Sequence, residues 1–161
     1  MRPLISLALI FAALPALTQA RNVYETHFSG KQNSACFIRS YDNAHLAKHP
    51  DQLVTSITVS ISPLSLDGTT PILNIFATFR GDSYYYHGAA YCRYVGDDLG
   101  CALEGDQGAF TLSAQKGHKI LLQVGRDGLE FEGASGTHSV SGTTGDDRSF
   151  LIPSVPAPKC N

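Results

Sequence analysis

Residues 53–61 read LVTSITVSI. Leu53, Thr55, Ile57, Val59 and Ile61 share one side of an extended chain, and Val54, Ser56, Thr58 and Ser60 share the other. That period of two is the signature of a half-buried β-strand. ILNIFATF (72–79) is largely apolar on both sides, as expected of a central strand covered on two faces. Further strands are expected in SACFIRS (34–40), YCRYV (91–95), AFTLSA (109–114), KILLQV (119–124), GLEFEG (128–133) and RSFLI (148–152). Gly, Asp, Asn or Pro punctuates the chain between them, and QKGHK (115–119) and GRDG (125–128) have the length and composition of hairpin turns. Only NAHLAKH (43–49), ahead of Pro50, offers a helical turn or two. The chain is therefore read as all-β, antiparallel, one domain over residues 21–161, either a β-sandwich or a closed β-barrel, since both architectures hide strand edges.

The first twenty residues, MRPLISLALIFAALPALTQA, stand outside that reading. Arg2, the apolar run Leu4–Leu17 and the small residues Thr18 and Ala20 form a signal-peptide pattern, with cleavage after Ala20 and a mature start at Arg21. The run is interrupted by Pro15 and is shorter than the roughly 20 residues that span a bilayer. The expected location is periplasmic or secreted. Without Arg2 the chain has 11 basic and 14 acidic residues, a formal charge of −3, with no basic run. That balance argues against nucleic acid and against a polybasic contact with anionic lipid.

Cys36, Cys92, Cys101 and Cys160 all follow the signal segment. An even number in an oxidising compartment reads as two disulfides, and of three connectivities the favoured one is Cys92–Cys101 across a hairpin and Cys36–Cys160 from first strand to C-terminus. No C-x-x-C spacing supports zinc.

Candidate functional residues fall in two neighbouring stretches. GDSYYYHGAAYCRY (81–94) holds Tyr84, Tyr85, Tyr86, Tyr91 and Tyr94 around His87. Tyrosine combines flat apolar area with a polar tip and suits a binding face, although it is also a strong strand former. Three consecutive tyrosines cannot all point inward. The second stretch, GDDLGCALEGDQG (96–108), holds Asp97, Asp98, Glu104 and Asp106. Their simplest role is turn chemistry; if both turns met at one end of the sheet, the four carboxylates could collect calcium. The EF-hand spacing is absent. The six histidines form no metal motif: His45 and His49 are four apart, but the Glu of H-E-x-x-H is missing. Ser139, His138 and Asp146 or Asp147 can be arranged on paper as a triad, without a nucleophile elbow to support it. In GDDRSF (145–150), Asp146 or Asp147 is expected to accept from backbone N–H groups of its turn, and Arg148 to pair with a carboxylate.

The C-terminal half carries a resemblance. CALEGDQGAFTL, KILLQVGRDGLEFEG and VSGTTGDDRSFLIPSVPAPKC, over roughly residues 92–160, are similar to a pattern in small exported proteins of alphaproteobacteria: C-x-x-x-x-D-x-G-x-F-x-L, a leucine-rich strand, S-G-x-x-D-D-R-x-F-x-L and a terminal cysteine. Other members carry extra cysteines near the acidic turn, where this chain has Glu104 and Gly105. The resemblance implies export and transfers no catalytic or binding residue. Two classes of function follow. The first is a non-catalytic binding or interaction module of the cell envelope, an accessory subunit or inhibitor with a protein partner and no cofactor. The second is a small hydrolytic or metal-dependent enzyme using the acidic turns with His87 or His138.

Overall fold

The computed structural model describes residues 22–28, 35–62, 64 and 71–160. The expected signal peptide, residues 1–20, lies outside them. The described chain runs α1 (Val23–His27), β1 (Cys36–Ser40), α2 (Asn43–Lys48), β2 (Val54–Ile61), β3 (Ile72–Phe79), β4 (Tyr86–Val95), β5 (Asp98–Leu103), β6 (Gly108–Gln115), β7 (Lys119–Gly133), β8 (Gly136–Val140) and β9 (Ser149–Val155). Single 3₁₀ turns follow β5 (Glu104–Asp106) and β9 (Ala157–Cys160).

Each strand from β1 to β7 pairs antiparallel with the next, and β9 lies between β7 and β1, so eight strands close into a barrel. Closure excludes the sandwich. β8 stands outside the ring as a hairpin partner of the second half of β7. Period-two alternation makes the barrel's inner face: Leu73, Ile75, Ala77 and Phe79 of β3 point in, and Ile72, Asn74, Phe76 and Thr78 face out and are half-buried. The lumen is filled by such side chains from every barrel strand.

Both ends are stoppered. At one end Val23 and Phe28 of the α1 segment are fully buried, and the Val23 N–H donates to the Asp97 carbonyl at 2.8 Å. At the other, Phe79 packs edge to face with Tyr86 and tilted against Phe131 of β7. The two disulfides are Cys36–Cys160 and Cys92–Cys101, the latter joining residues directly opposite on β4 and β5. Both pairings agree with the sequence reading.

Three expectations need correction. GRDG is not a hairpin turn: KILLQV and GLEFEG belong to one bent strand, β7. Phe110 pairs with Val124 and Gly108 with Leu129, so residues 125–128 bulge out opposite Ala109 alone. Glycine makes the bulge feasible, since a Cβ on Gly125 would lie 2.6 Å from the Ala109 carbonyl oxygen and Gly128 has φ +82°. In β2 the register shifts between Val54 and Ser56, so Val54 is buried and Leu53 is 46% exposed, the reverse of simple alternation. Lastly, Asp147 does not serve its own turn. Its carboxylate accepts from the N–H groups of Leu53 (2.6 Å) and Val54 (3.2 Å), tying the β8–β9 loop to the start of β2, while Arg148 Nε donates to the Gly145 carbonyl rather than to a carboxylate.

Candidate functional site

The six tyrosine-stretch residues occupy five different places. Tyr84 and Tyr85 are exposed on the β3–β4 loop. Tyr86 is the one of the three that turns inward, 1% exposed. His87 faces out and stacks on Phe76, ring centroids 5.6 Å apart. Tyr91, 47% exposed, stands midway along the outer wall. Tyr94 lies at the α1 end, edge-on to Tyr24 at 6.2 Å. From Tyr86 to Tyr94 β4 extends roughly 26 Å, so these side chains do not form one compact cluster.

The acidic residues are separated likewise. Asp97 and Asp98 sit at the β4–β5 turn beside α1, Glu104 and Asp106 in the 3₁₀ turn at the far end of β5, roughly 20 Å away along the strand. β5 stands between the two turns, so the four carboxylates do not form one group. Among the described residues no three His, Cys, Asp or Glu side chains converge on a position that could hold a metal ion.

A polar cluster that the sequence did not suggest lies at the Tyr86 end. Asp82 Oδ2 accepts from the Tyr86 hydroxyl at 2.5 Å and lies 3.3 Å from His138 Nε2, while Oδ1 accepts from the Tyr84 N–H at 2.9 Å. Ser135 Oγ is 2.6 Å from the Tyr86 hydroxyl oxygen. The Tyr86 hydroxyl first, and then the Tyr84 N–H, hold the Asp82 carboxyl at about 2, below its usual 3.8. Hydrolytic chemistry does not follow from this geometry. A serine nucleophile needs a histidine between it and the acid. Here the carboxylate lies between His138 and Ser135, and a group of such low basicity cannot take a hydroxyl proton at neutral pH. The cluster instead fastens the β3–β4 loop to the β7–β8 hairpin, with the His138 ring stacked on Phe79 at 4.4 Å. The paper triad also dissolves: Asp147 is committed to Leu53 and Val54, and Ser139, next to His138 on β8, faces the opposite side of the strand. The local signal for Asp82 was D-S-Y, an aspartate two residues ahead of the N–H it caps; its distant partners Ser135 and His138 have no counterpart in the pattern.

A concavity lies on the outer wall. An open groove of about 780 Å³ crosses β4 to β7. Its floor is Gly100, Ala102 and Ala109, with the Cys92–Cys101 disulfide and Phe110 beneath; Tyr91, Arg93 and Val95 rise along β4, and Thr111, Gln123 and Gly125 bound the other side. Register explains the floor. Tyr91 pairs with Ala102 and Ala102 with Ala109, while Arg93 pairs with Gly100, Gly100 with Thr111 and Thr111 with Gln123. In both rows the large residue sits on β4 and an alanine or glycine on β5, and β7 bulges directly after Val124. Sequence reasoning named Tyr91 but not the groove, because opposing large and small residues across strands requires the strand pairing. Comparison with known protein families, with characterised proteins and with solved structures finds no match to this chain.

Proposed function

We propose that this chain is an exported, non-catalytic binding module that meets a protein partner of the cell envelope through the groove on the outer wall of β4 to β7. The observation that carries the reading is the groove itself, with a half-exposed tyrosine on its rim. Its volume of about 780 Å³ falls within the roughly 300–1,000 Å³ of binding pockets, and its lining is apolar apart from a few polar side chains. The two disulfides are compatible with an oxidising compartment, which supports export. Of the tyrosine stretch, Tyr91 is the member on this surface, so the reading narrows to Tyr91 with Val95 and leaves Tyr84, Tyr85 and Tyr94 outside it.

A photo-crosslinking residue placed at Tyr91 in cells, and in a separate variant at Tyr85, tests this. The expected result is a discrete adduct from position 91, reduced at least tenfold when Ala102→Leu fills the floor, and none from position 85. Equal adducts at both positions, or none at 91 in folded protein, would reject the groove as the binding surface.

A further inference from the structure

The arginines distinguish this groove from ordinary surface. Five are described, and three have work within the fold. Arg39 lies over the Tyr41 ring, 5.1 Å from its centroid. Arg80 donates to the carbonyls of Leu46, His49 and Gln52, closing the end of α2. Arg148 holds its own turn. Of the other two, Arg93 lines the groove on its β4 wall, and Arg126 is exposed in the β7 bulge, directly after the lining residue Gly125. Among the described residues neither has a hydrogen bond or a carboxylate within salt-bridge distance. No carboxylate lines the groove.

We infer that the groove recognises an acidic segment of its partner in which a carboxylate side chain and an aromatic side chain stand two residues apart. This deepens the proposed use of the groove and rests on it. Arg93 supplies an unpaired positive charge on the groove wall and no carboxylate lines the groove, so an anionic side chain gains there over a cationic one. The Gly100, Ala102 and Ala109 floor is apolar and lacks projecting side chains, which accommodates a flat ring with its edge against Tyr91. The two requirements have a fixed spacing. The Arg93–Gly100–Thr111 row and the Tyr91–Ala102–Ala109 row are adjacent on the same outer face, hence roughly 7 Å apart. In an extended peptide, residues i and i+2 project to the same side at that separation. An Asp-x-Phe arrangement therefore places its carboxylate at Arg93 while its ring covers Ala102.

The probe is the peptide acetyl-Gly-Asp-Ser-Phe-Gly-amide, titrated to millimolar concentration into isotopically labelled protein with both disulfides formed and followed by backbone amide shifts. Comparison peptides carry Asn for Asp or Ala for Phe. The expected result is shifts at the amides of residues 91–95, 100–102, 109–111 and 123–125, with the Asn and Ala peptides each roughly three- to tenfold weaker. Arg93→Gln should abolish the difference between the Asp and Asn peptides, and Ala102→Leu should remove binding of all three. Equal binding of the Asp and Asn peptides, or preferential binding of maltotriose, overturns the acidic class and leaves the groove reading standing if crosslinking at Tyr91 persists. Shifts confined to other surfaces, with crosslinking at Tyr91 also lost, overturn both. Retained discrimination in Arg93→Gln moves the charge requirement away from this site and overturns the inference.

Discussion

Asp82 and Asp147 lie at the same end of the barrel, and acid acts on them in opposite senses. Burial raises the Asp147 carboxyl above its usual range, against the pull of the Leu53 and Val54 N–H groups, so protonating it relieves the fold. Asp82 is held at about 2, so the stability it contributes is complete above its unfolded value of 3.8 and is lost as pH falls toward 2. His27 adds an earlier event at the other end. Its Nε2 is buried without a hydrogen-bond partner among the described residues, and burial first, then the neighbouring His118, lower its pKa from 6.5. A histidine lowered in this way favours the folded state while neutral, so its contribution is present above pH 6.5 and is lost as pH falls through the lowered value. The melting temperature should therefore fall in two stages on acidification, one below pH 6.5 and one below pH 4. Thermal melts of wild type and His27→Gln check this: the variant should lose the first stage and keep the second. An unchanged first stage would assign it to another group.

At the scale of elements, the bulge in β7 and the hairpin it leads into depend on glycine at a few positions. Gly128 has φ +82° and a Cβ there would stand 2.5 Å from the Val140 carbonyl oxygen, whereas Gly81, φ +79°, has open space around its Cβ position. Both substitutions to alanine incur left-handed strain of about 1 kcal/mol, and only Gly128→Ala adds a backbone collision. Gly128→Ala should lose at least ~2 kcal/mol more than Gly81→Ala in denaturant unfolding. The same elements show what the sequence made legible. Alternation identified β2 and β3 because their inward faces are uninterrupted aliphatic and aromatic residues. It mistook GRDG for a turn because glycine and aspartate serve bulges as readily as hairpins, and the difference lies in which strand they oppose. It passed over β8, GTHSV, since only Val140 is buried there and pairing with β7, not side-chain pattern, makes it a strand. The bulge at Val54 likewise exchanged Leu53 and Val54, a one-residue slip invisible to a period-two rule.

For the molecule as a whole, strand content and cross-links were legible in the sequence but closure was not, since it depends on β9 pairing with β1. That seam is the shortest joint of the ring, with Cys36 opposite Val155 and Phe37 opposite Ser154. The Cys36–Cys160 disulfide spans the same seam, beside the last residues of β9. In the chain-entropy account, closing this long loop contributes about 5 kcal/mol and the short Cys92–Cys101 loop about 2.7. Cys36→Ser with Cys160→Ser should thus lower stability by several kcal/mol and speed amide exchange in β1 and β9 before β2 and β3 respond. Uniform acceleration across the barrel would mean that the seam does not open separately. The groove was illegible for the same reason as closure, because its floor exists only once Ala102 and Gly100 are set between β4 and β6.

The seam cross-link also decides how the molecule carries a mechanical load. Tension applied to the two chain ends passes from Cys36 through the sulfur bridge to Cys160, and the intervening barrel is a loop hanging beside the line of force. An oxidised molecule stretched between its termini should therefore lengthen only by the segment ahead of Cys36, with no barrel-unfolding step in a force trace. The double serine variant, with Cys92–Cys101 intact, should release roughly 400 Å of additional chain in that experiment. A protein anchored to one envelope component at each end would stay folded, and keep its outer wall presented, under a pull that would unravel a barrel lacking this bridge.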